Sequence, residues 1–595
     1  MDKFEDNCVE NKQLQASQKT HFLSAWIEYL SQPPFSLTSL NDEAKALMHA
    51  VMDAMQAGNS CIPASEQQVQ VLSNLVSTAV VEPKNIAPFV YEQGKLFLYR
   101  YWKLEHSVAL HIARIRSNQI AHVELTEQYQ GLLSDPQQKN ALDMVVSQGL
   151  SMITGGPGTG KTYTLAHIIA VLSDALPNIR IAMAAPTGKA AQRMKEALQK
   201  ALHSDALSAF DLAKLKLLQP VTLHRLLGLG HSGQPRFHAK QPLPYDVIVV
   251  DEASMLDLNL SQMLFAAVPK QARLILLGDA DQLAAVDVGT VLADLQQVPC
   301  LEQNHVNLVT SRRFAQGAKI GDLARFIQQP LTLENAVAHF ESEILQPAPL
   351  KAIDLKSVAI DALQLEYLSV DNVYQQLDEY YEKLMYGYQN YIKLLKQAKA
   401  ELSFDAYVQK LLETFDEYRI LTAIRHGAFG LNTLNMQIEQ RLLNHLGQIK
   451  QGDWYEGRPV MMTYNDYQLG LSNGDIGICF KREVQGSTQF EVYFPSLEKW
   501  VMATRLPKNI ETAFALTIHK SQGSEFAHVA VVLDHLATNL LSKELIYTAI
   551  TRAKKVVSLL VNCEAFAQAL SLRTTRYSGL SEKIIKKCQS VEDHA

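Results

Sequence analysis

Residues Gly155-Gly-Pro-Gly-Thr-Gly-Lys-Thr162 have the types and spacing of a loop that wraps a phosphate. Gly155, Gly156, Gly158 and Gly160 let successive backbone N–H groups curl around an anion, with Pro157 and Thr159 completing the turn. Lys161 then reaches the outer phosphate oxygens, and the Thr162 hydroxyl stands where Mg2+ is held. The apolar run Ser151–Thr154 before the loop and the run Tyr163–Ala170 after it supply the strand and helix that such a loop joins. This chemistry is the binding of a nucleoside triphosphate, so ATP and Mg2+ are the expected cofactors.

Further along, Val247-Ile-Val-Val-Asp-Glu252 ends an apolar strand on two adjacent carboxylates. Asp251 would hold the metal and Glu252 would polarise the attacking water, a division that needs one group facing each. The next strand ends Leu277-Gly-Asp-Ala-Asp-Gln282, which puts Gln282 beside the outer phosphate in a sheet of this kind.

Those side chains need a parallel sheet to carry them. The runs Ile179–Ala185, Asp246–Val250, Arg273–Gly278 and His305–Val309 are apolar and β-rich, and they alternate with helical patterns. A second set, Tyr418–Ile424, Phe514–Ile518, His528–Leu533 and Lys555–Val561, predicts a second α/β domain. Between members of that set, short alternating strands at Pro459–Tyr464, Asp475–Phe480, Gln489–Phe494 and Trp500–Thr504 predict a small β-barrel insertion. Pro330, Pro347 and Pro349 mark a boundary over 330–356, and Leu377 to Leu395 reads as one long helix whose tyrosines pack rather than stack on bases. The first ~125 residues read as helical and carry no catalytic motif.

Bulk properties narrow the class. A chain of 595 residues with 47% hydrophobic content exceeds one core and implies several domains. No run approaches the ~20 apolar residues of a membrane span, so no membrane partner and a cytoplasmic location are expected. Six scattered cysteines without paired spacing argue against zinc or a disulfide framework. A net charge of −6 means that a polyanion would have to be held in a local groove.

Taken in order, these motifs resemble a superfamily 1 helicase. Gln138 matches that family's adenine-recognising glutamine; Ala185-Pro-Thr-Gly-Lys189 and Thr222-Leu-His-Arg225 match its DNA-contact segments; Thr517-Ile-His-Lys-Ser-Gln-Gly-Ser-Glu525 and Tyr547-Thr-Ala-Ile-Thr-Arg552 match its late motifs. The resemblance implies DNA contacts at Pro186, Thr187, His224, Thr517 and His519. It also implies two arginines that complete the nucleotide site, Arg313 and Arg552. Arg312 stands where the pattern has an aromatic residue, so the choice between Arg312 and Arg313 stays open.

Phe97–Trp102, Arg419–Gly430 and Asn473–Gly477 narrow the resemblance to the RecD family, the alpha subunits of exodeoxyribonuclease V. That implies a 5′→3′ helicase on single-stranded and duplex-end DNA, partnered with RecB and RecC. The implied fold is α/β, with two RecA-like motor domains and an SH3-like barrel. Residues 1–125 form a helical docking domain; 126–330 the first motor, with a hairpin near 229–245 that meets the duplex; 331–455 and 513–595 the second motor; 456–512 the barrel. The rival readings are a stand-alone DNA or RNA helicase and a structural subunit whose ATP site controls assembly.

Overall fold

Two all-parallel sheets organise the chain, and the computed structural model describes residues 24–33, 35–36, 40–78, 87–230, 233–310, 318–369, 372–397, 402–466, 468–484 and 486–592. The first sheet has six strands in the spatial order His305–Leu308, Leu150–Gly155, Arg273–Gly278, Val247–Val250, Ile181–Ala185, Val221–Thr222. Its three central strands are buried along their whole length, which is why they read as unbroken apolar runs. The phosphate loop, the 279–282 turn and the Asp251–Glu252 pair follow the carboxyl ends of these three neighbours, so pairing register alone brings them together.

The second sheet has five strands in the order Ala362–Tyr367, Ala553–Val561, Phe526–Leu533, Tyr418–Thr422, Ala515–Thr517. Its edge strand Ala362–Tyr367 went unread in the sequence, because it is only half-buried and lies beyond a proline-rich stretch. Between Tyr418–Thr422 and Ala515–Thr517 sits a five-stranded antiparallel sheet spanning Pro459 to Thr512, with a core of its own around Val460, Cys479, Val492 and Phe494.

Packing redraws several expected boundaries. The helix Lys319–Gln328, read as the end of the first motor, buries Ile320, Leu323, Phe326 and Ile327 in the second sheet's core. The helix therefore already belongs to the second motor, ahead of the boundary expected at 330. Residues 1–125 are not simply helical either: a mixed four-stranded sheet forms from Cys61–Pro63, Lys95–Leu98, Phe89–Glu92 and Val76–Thr78. The following helix, Tyr99–Arg116, places Val108, Ile112 and Ile115 in the first motor's core, so this region is not a separable unit.

Residues beyond 572 also leave the second motor. The terminal helix Leu580–Glu592 packs on Tyr99–Arg116, and Leu580, Ile584 and Cys588 join the first motor's core. Thr574 N–H still bonds Glu544 at 3.0 Å in the second motor, whereas Arg576 already donates to the Asp287 and Gly289 carbonyls of the first at 3.2 Å. Between Thr574 and Arg576 the chain thus returns from the second motor to the first.

The expected long helix from Leu377 breaks into Leu377–Met385, a tight turn at Tyr386–Tyr388 and Gln389–Gln397. At that turn a Cβ on Gly387 would lie 2.3 Å from the Tyr418 ring, so only a glycine admits that strand so close. Tyr381, Tyr388 and Tyr391 are buried and donate to the carbonyls of Ala428, Phe514 and Gly457, which makes them core rather than base-stacking groups.

Candidate active site between the two motors

Local geometry forms the phosphate cradle. Gly158 (φ 77°) and Gly160 (φ 86°) take the left-handed backbone that other residues resist, and Gly155 lies against Leu308, whose carbonyl would be 2.5 Å from an added Cβ. The helix Lys161–Ala175 starts directly after Gly160, so its free N–H groups and positive dipole end face the loop. Lys161 Nζ donates to the Gly156 carbonyl at 3.1 Å, which keeps the ammonium over the loop.

Asp251 and Glu252 line the same cavity. Burial, with the Glu252 charge beside it, pushes the Asp251 carboxyl up to about 6, as expected for a carboxylate whose charge is meant to be balanced by a cation. Glu252 sits at φ 53°, a left-handed conformation rare outside glycine, of the kind that costs of order 1–3 kcal/mol and clusters at functional sites. Its backbone N–H donates to Asp251 Oδ1 at 2.9 Å, which fixes one oxygen of the Asp251 carboxylate.

The cavity holds about 270 Å³ and is closed by both motors: Lys161, Thr162, Asp251, Glu252 and Gln282 come from the first, Gly523, Glu525 and Arg552 from the second. Arg552 is buried, and its Nη2 donates to Gln282 Oε1 at 2.5 Å. Arg193, which carried no signal in the sequence, donates to the Gly523 carbonyl at 3.0 Å and pairs with Glu525. Arg313 and its neighbour Arg312 lie outside the described residues.

Gln138 is held by an N-terminal cap. Asp135 accepts the Gln137 and Gln138 N–H groups at 2.9 and 3.2 Å, and Pro136 opens the helix Pro136–Ser147. The Gln138 side chain abuts Gly160, and its Oε1 is buried without a hydrogen-bond partner. An orphaned acceptor beside a phosphate cradle fits the exocyclic amine of adenine, and the Asp251 carboxylate and Thr162 hydroxyl, both lining the cavity, fit a metal that keeps waters and phosphate oxygens as its other ligands.

A second groove of about 780 Å³ runs between the first motor and the inserted sheet. Pro186, Thr187 and His224 line one wall, and Asn465, Ser472, Asn473 and Leu497 of the insertion the other. Thr187 caps the helix Gly188–Ala201, and Thr222 caps Leu223–Leu227, so two helix N-termini face this groove. Thr517 and His519 are not among its lining residues. Thr517 is buried, with its hydroxyl accepting Lys520 N–H at 3.2 Å, and burial holds the His519 imidazole below its usual pKa. Lys520 itself reaches the groove through Asn473. Part of the 229–245 loop closes as a two-residue hairpin at His238–Gln241.

An AAA domain model matches residues 138–287 and a UvrD-like helicase C-terminal domain model residues 512–560. The RecBCD enzyme subunit RecD of Mycobacterium tuberculosis is 33% identical over 589 residues, covering 93% of this chain and 94% of the relative. That of Haemophilus influenzae is 31% identical, covering 88% and 85%. The ATP-dependent RecD2 DNA helicase of Deinococcus radiodurans is 30% identical, covering 70% of this chain and 48% of the relative. A crystal structure of Pif1 helicase from Candida albicans aligns with 78% of this chain and 100% of its own, at 17% identity and a TM-score of 0.37.

Proposed function

We infer, for a chain that belongs to the RecD family, that it is an ATP-dependent DNA helicase working as a subunit of a RecBCD complex in double-strand-break repair. The observation that carries this reading is the cleft itself: one wall cradles phosphate, and the other supplies a buried arginine, Arg552, that meets Gln282 across it. Hydrolysis then depends on how the two motors sit, and motor movement depends on the nucleotide.

Lys161 and the loop amides neutralise the phosphates. Glu252 polarises the attacking water, and Arg552, with Arg313 from the 311–317 segment, takes up charge that develops on the transferring group. Thr162 and Asp251 are the residues that would hold Mg2+, which when bound balances charge on the two outer phosphates. Gln138 selects adenine. The strand lies in the groove under Pro186, Thr187 and His224, with Thr517 and His519 acting from beneath it and coupling it to the cleft. The antiparallel insertion is read as an SH3-like barrel that forms the outer wall, the His238–Gln241 hairpin as the element that meets duplex, and the region before Leu125 as the docking face for RecB and RecC. Travel is 5′→3′.

Hydrolysis measured with and without single-stranded DNA, and unwinding of duplexes with 5′ or 3′ tails, test the reading. Strong stimulation and a requirement for the 5′ tail are expected. Equal hydrolysis in both conditions removes the translocase and leaves an ATP-controlled structural subunit, whereas a 3′ preference overturns only the direction.

A further inference from the structure

Residues 279–283 of the first motor are gripped by the second at four points. The Leu283 N–H donates to Thr548 Oγ1 at 2.8 Å, and Gln522 Nε2 donates to the Leu283 carbonyl at 2.7 Å. Arg552 Nη2 donates to Gln282 Oε1 at 2.5 Å, and the Tyr547 hydroxyl donates to Asp279 Oδ2 at 3.3 Å. Three of the four partners, Tyr547, Thr548 and Arg552, lie on or just after the helix Lys543–Ile550, so the grip acts as one rigid unit.

Within that grip one group has no assigned role. Asp279 is 3% exposed, and each of its oxygens is claimed: Oδ1 accepts the Asp281 N–H at 3.2 Å, and Oδ2 accepts Gln282 Nε2 at 2.9 Å together with the Tyr547 hydroxyl. The consequence falls on Gln282. A side-chain amide has a donor end and an acceptor end, and here it lies between a carboxylate that only accepts and a guanidinium that only donates. One orientation satisfies both neighbours; the flipped one sets the amide oxygen against Asp279 and its NH2 against Arg552. The amide orientation thus follows from the chemistry of its two partners.

Tyr547 fixes the carboxylate in turn. Its hydroxyl is wedged between Asp279 and the phosphate loop, where a Cβ added to Gly156 would lie 3.0 Å from it. Tyr547, Asp279, Gln282 and Arg552 form a closed circuit that leaves the second motor, passes through the first, and returns.

We propose that Asp279 is a positioning residue: its carboxylate, braced by Tyr547, sets which end of the Gln282 amide faces Arg552, and so aims the arginine at the cleft. The inference rests on the ATP-hydrolysis reading above and adds a residue that acts on the reaction only through Gln282 and Arg552. An asparagine at 279 offers one acceptor in place of two, so either the Asp281 N–H or the Gln282 NH2 faces a donor. The amide is freed, and the arginine, still tied to its own motor by Nε to the Thr548 carbonyl at 3.1 Å and Nη1 to the Ser524 carbonyl at 3.3 Å, loses the one bond that fixes Nη2 across the cleft.

The test uses the full chain with Asp279→Asn, Tyr547→Phe, Arg552→Ala and the Asp279→Asn/Arg552→Ala double variant. Three quantities are measured: DNA-stimulated ATPase at saturating ATP, ADP affinity by calorimetry, and the thermal midpoint without nucleotide. Misplacing a reacting group by about 1 Å costs about 10²-fold in rate, and a loss of that order in kcat is expected for Asp279→Asn. Tyr547→Phe should show a smaller loss in the same direction. ADP affinity should stay close to wild type in both, while the buried donor that Asp279→Asn leaves unpaired lowers the thermal midpoint without touching the nucleotide. In the Arg552→Ala background, Asp279→Asn should cost nothing further, because the path it acts through is already cut. A full additional loss in that background overturns the proposal, as does a fall in ADP affinity matching the fall in kcat. Absence of DNA-stimulated hydrolysis in the wild-type chain would instead remove the underlying reading.

Discussion

The nucleotide cleft and the junction built by residues 576–592 both bring together segments hundreds of residues apart, but they treat buried polar groups in opposite ways. In the cleft, Gln138 Oε1 has no partner, Asp251 is pushed up to about 6, and Glu252 is held in a strained backbone. In the junction, the fully buried Glu105 is saturated: Oε1 accepts Ser60 Oγ at 2.5 Å, Ser578 Oγ at 3.2 Å and Gly579 N–H at 3.1 Å, and Oε2 accepts Lys583 Nζ at 2.7 Å. Lys583 also lies 4.0 Å over the Phe97 ring. Spare capacity marks the place where a ligand completes the structure; saturation marks the place where the chain completes itself.

The sharpest way to break that contrast is to unpair the junction. Glu105→Ala leaves the buried Lys583 with only its longer contact to Glu92 at 3.4 Å, and since removing one partner of a buried pair costs about 3–5 kcal/mol, a loss toward the lower end of that range is expected. Chemical denaturation should show that loss, with ATP affinity of the folded fraction unchanged. A loss below about 1 kcal/mol would place this pair with exposed ones.

Lys161→Ala is the mirror image. Removing one charge-stabilising donor typically costs about 10²–10³-fold in rate, or about 2.7–4 kcal/mol of barrier, and ATPase should fall at least that far. The unfolding midpoint should not move, because the ammonium contacts only loop carbonyls. Near-normal turnover would remove the cleft from consideration as an ATPase site.

The smallest effect concerns Asp294, which with the buried, unpartnered Arg576 Nε gives the junction some of the cleft's spare capacity. Asp294 Oδ2 is buried without a partner, and burial pushes its carboxyl up to about 7, with the Glu105 charge adding to the rise and hydrogen bonds from Ser578 and Thr290 opposing it. A carboxyl raised in the fold from an unfolded value of about 3.9 favours the protonated form. Its contribution to stability is therefore fully present below about pH 4 and is lost as pH rises through about 7. The wild-type unfolding midpoint should fall between pH 5 and pH 8, and Asp294→Asn should flatten that slope. An equal slope in both proteins would mean that Asp294 stays ionised throughout.

Much of the cleft was legible because its parts are local. The phosphate loop, Asp251–Glu252 and Gln282 each follow a strand buried on both faces, and such strands announce themselves as short apolar runs. Arg193 was invisible: it is an ordinary helix arginine until Gly523 and Glu525 arrive from 330 residues away. Asp279 and Tyr547 stood inside quoted motifs, but nothing in their spacing said that one would brace the other.

Backbone geometry and side-chain period, both readable over ten or fifteen residues, determined the two parallel sheets, the inserted antiparallel strands and the residues that face the phosphates. Tertiary structure alone decided to which motor the helix Lys319–Gln328 belongs, that the helix after Gly579 returns to the first core, that Tyr99–Arg116 is motor core, and that position 387 must be a glycine to admit the Tyr418 ring. An amphipathic helix declares that it has an apolar face and leaves unsaid which core will bury it. That choice is made by contacts such as Glu105 to Lys583, 478 positions apart, whose energy depends on shape and on pairing charges that no local pattern records.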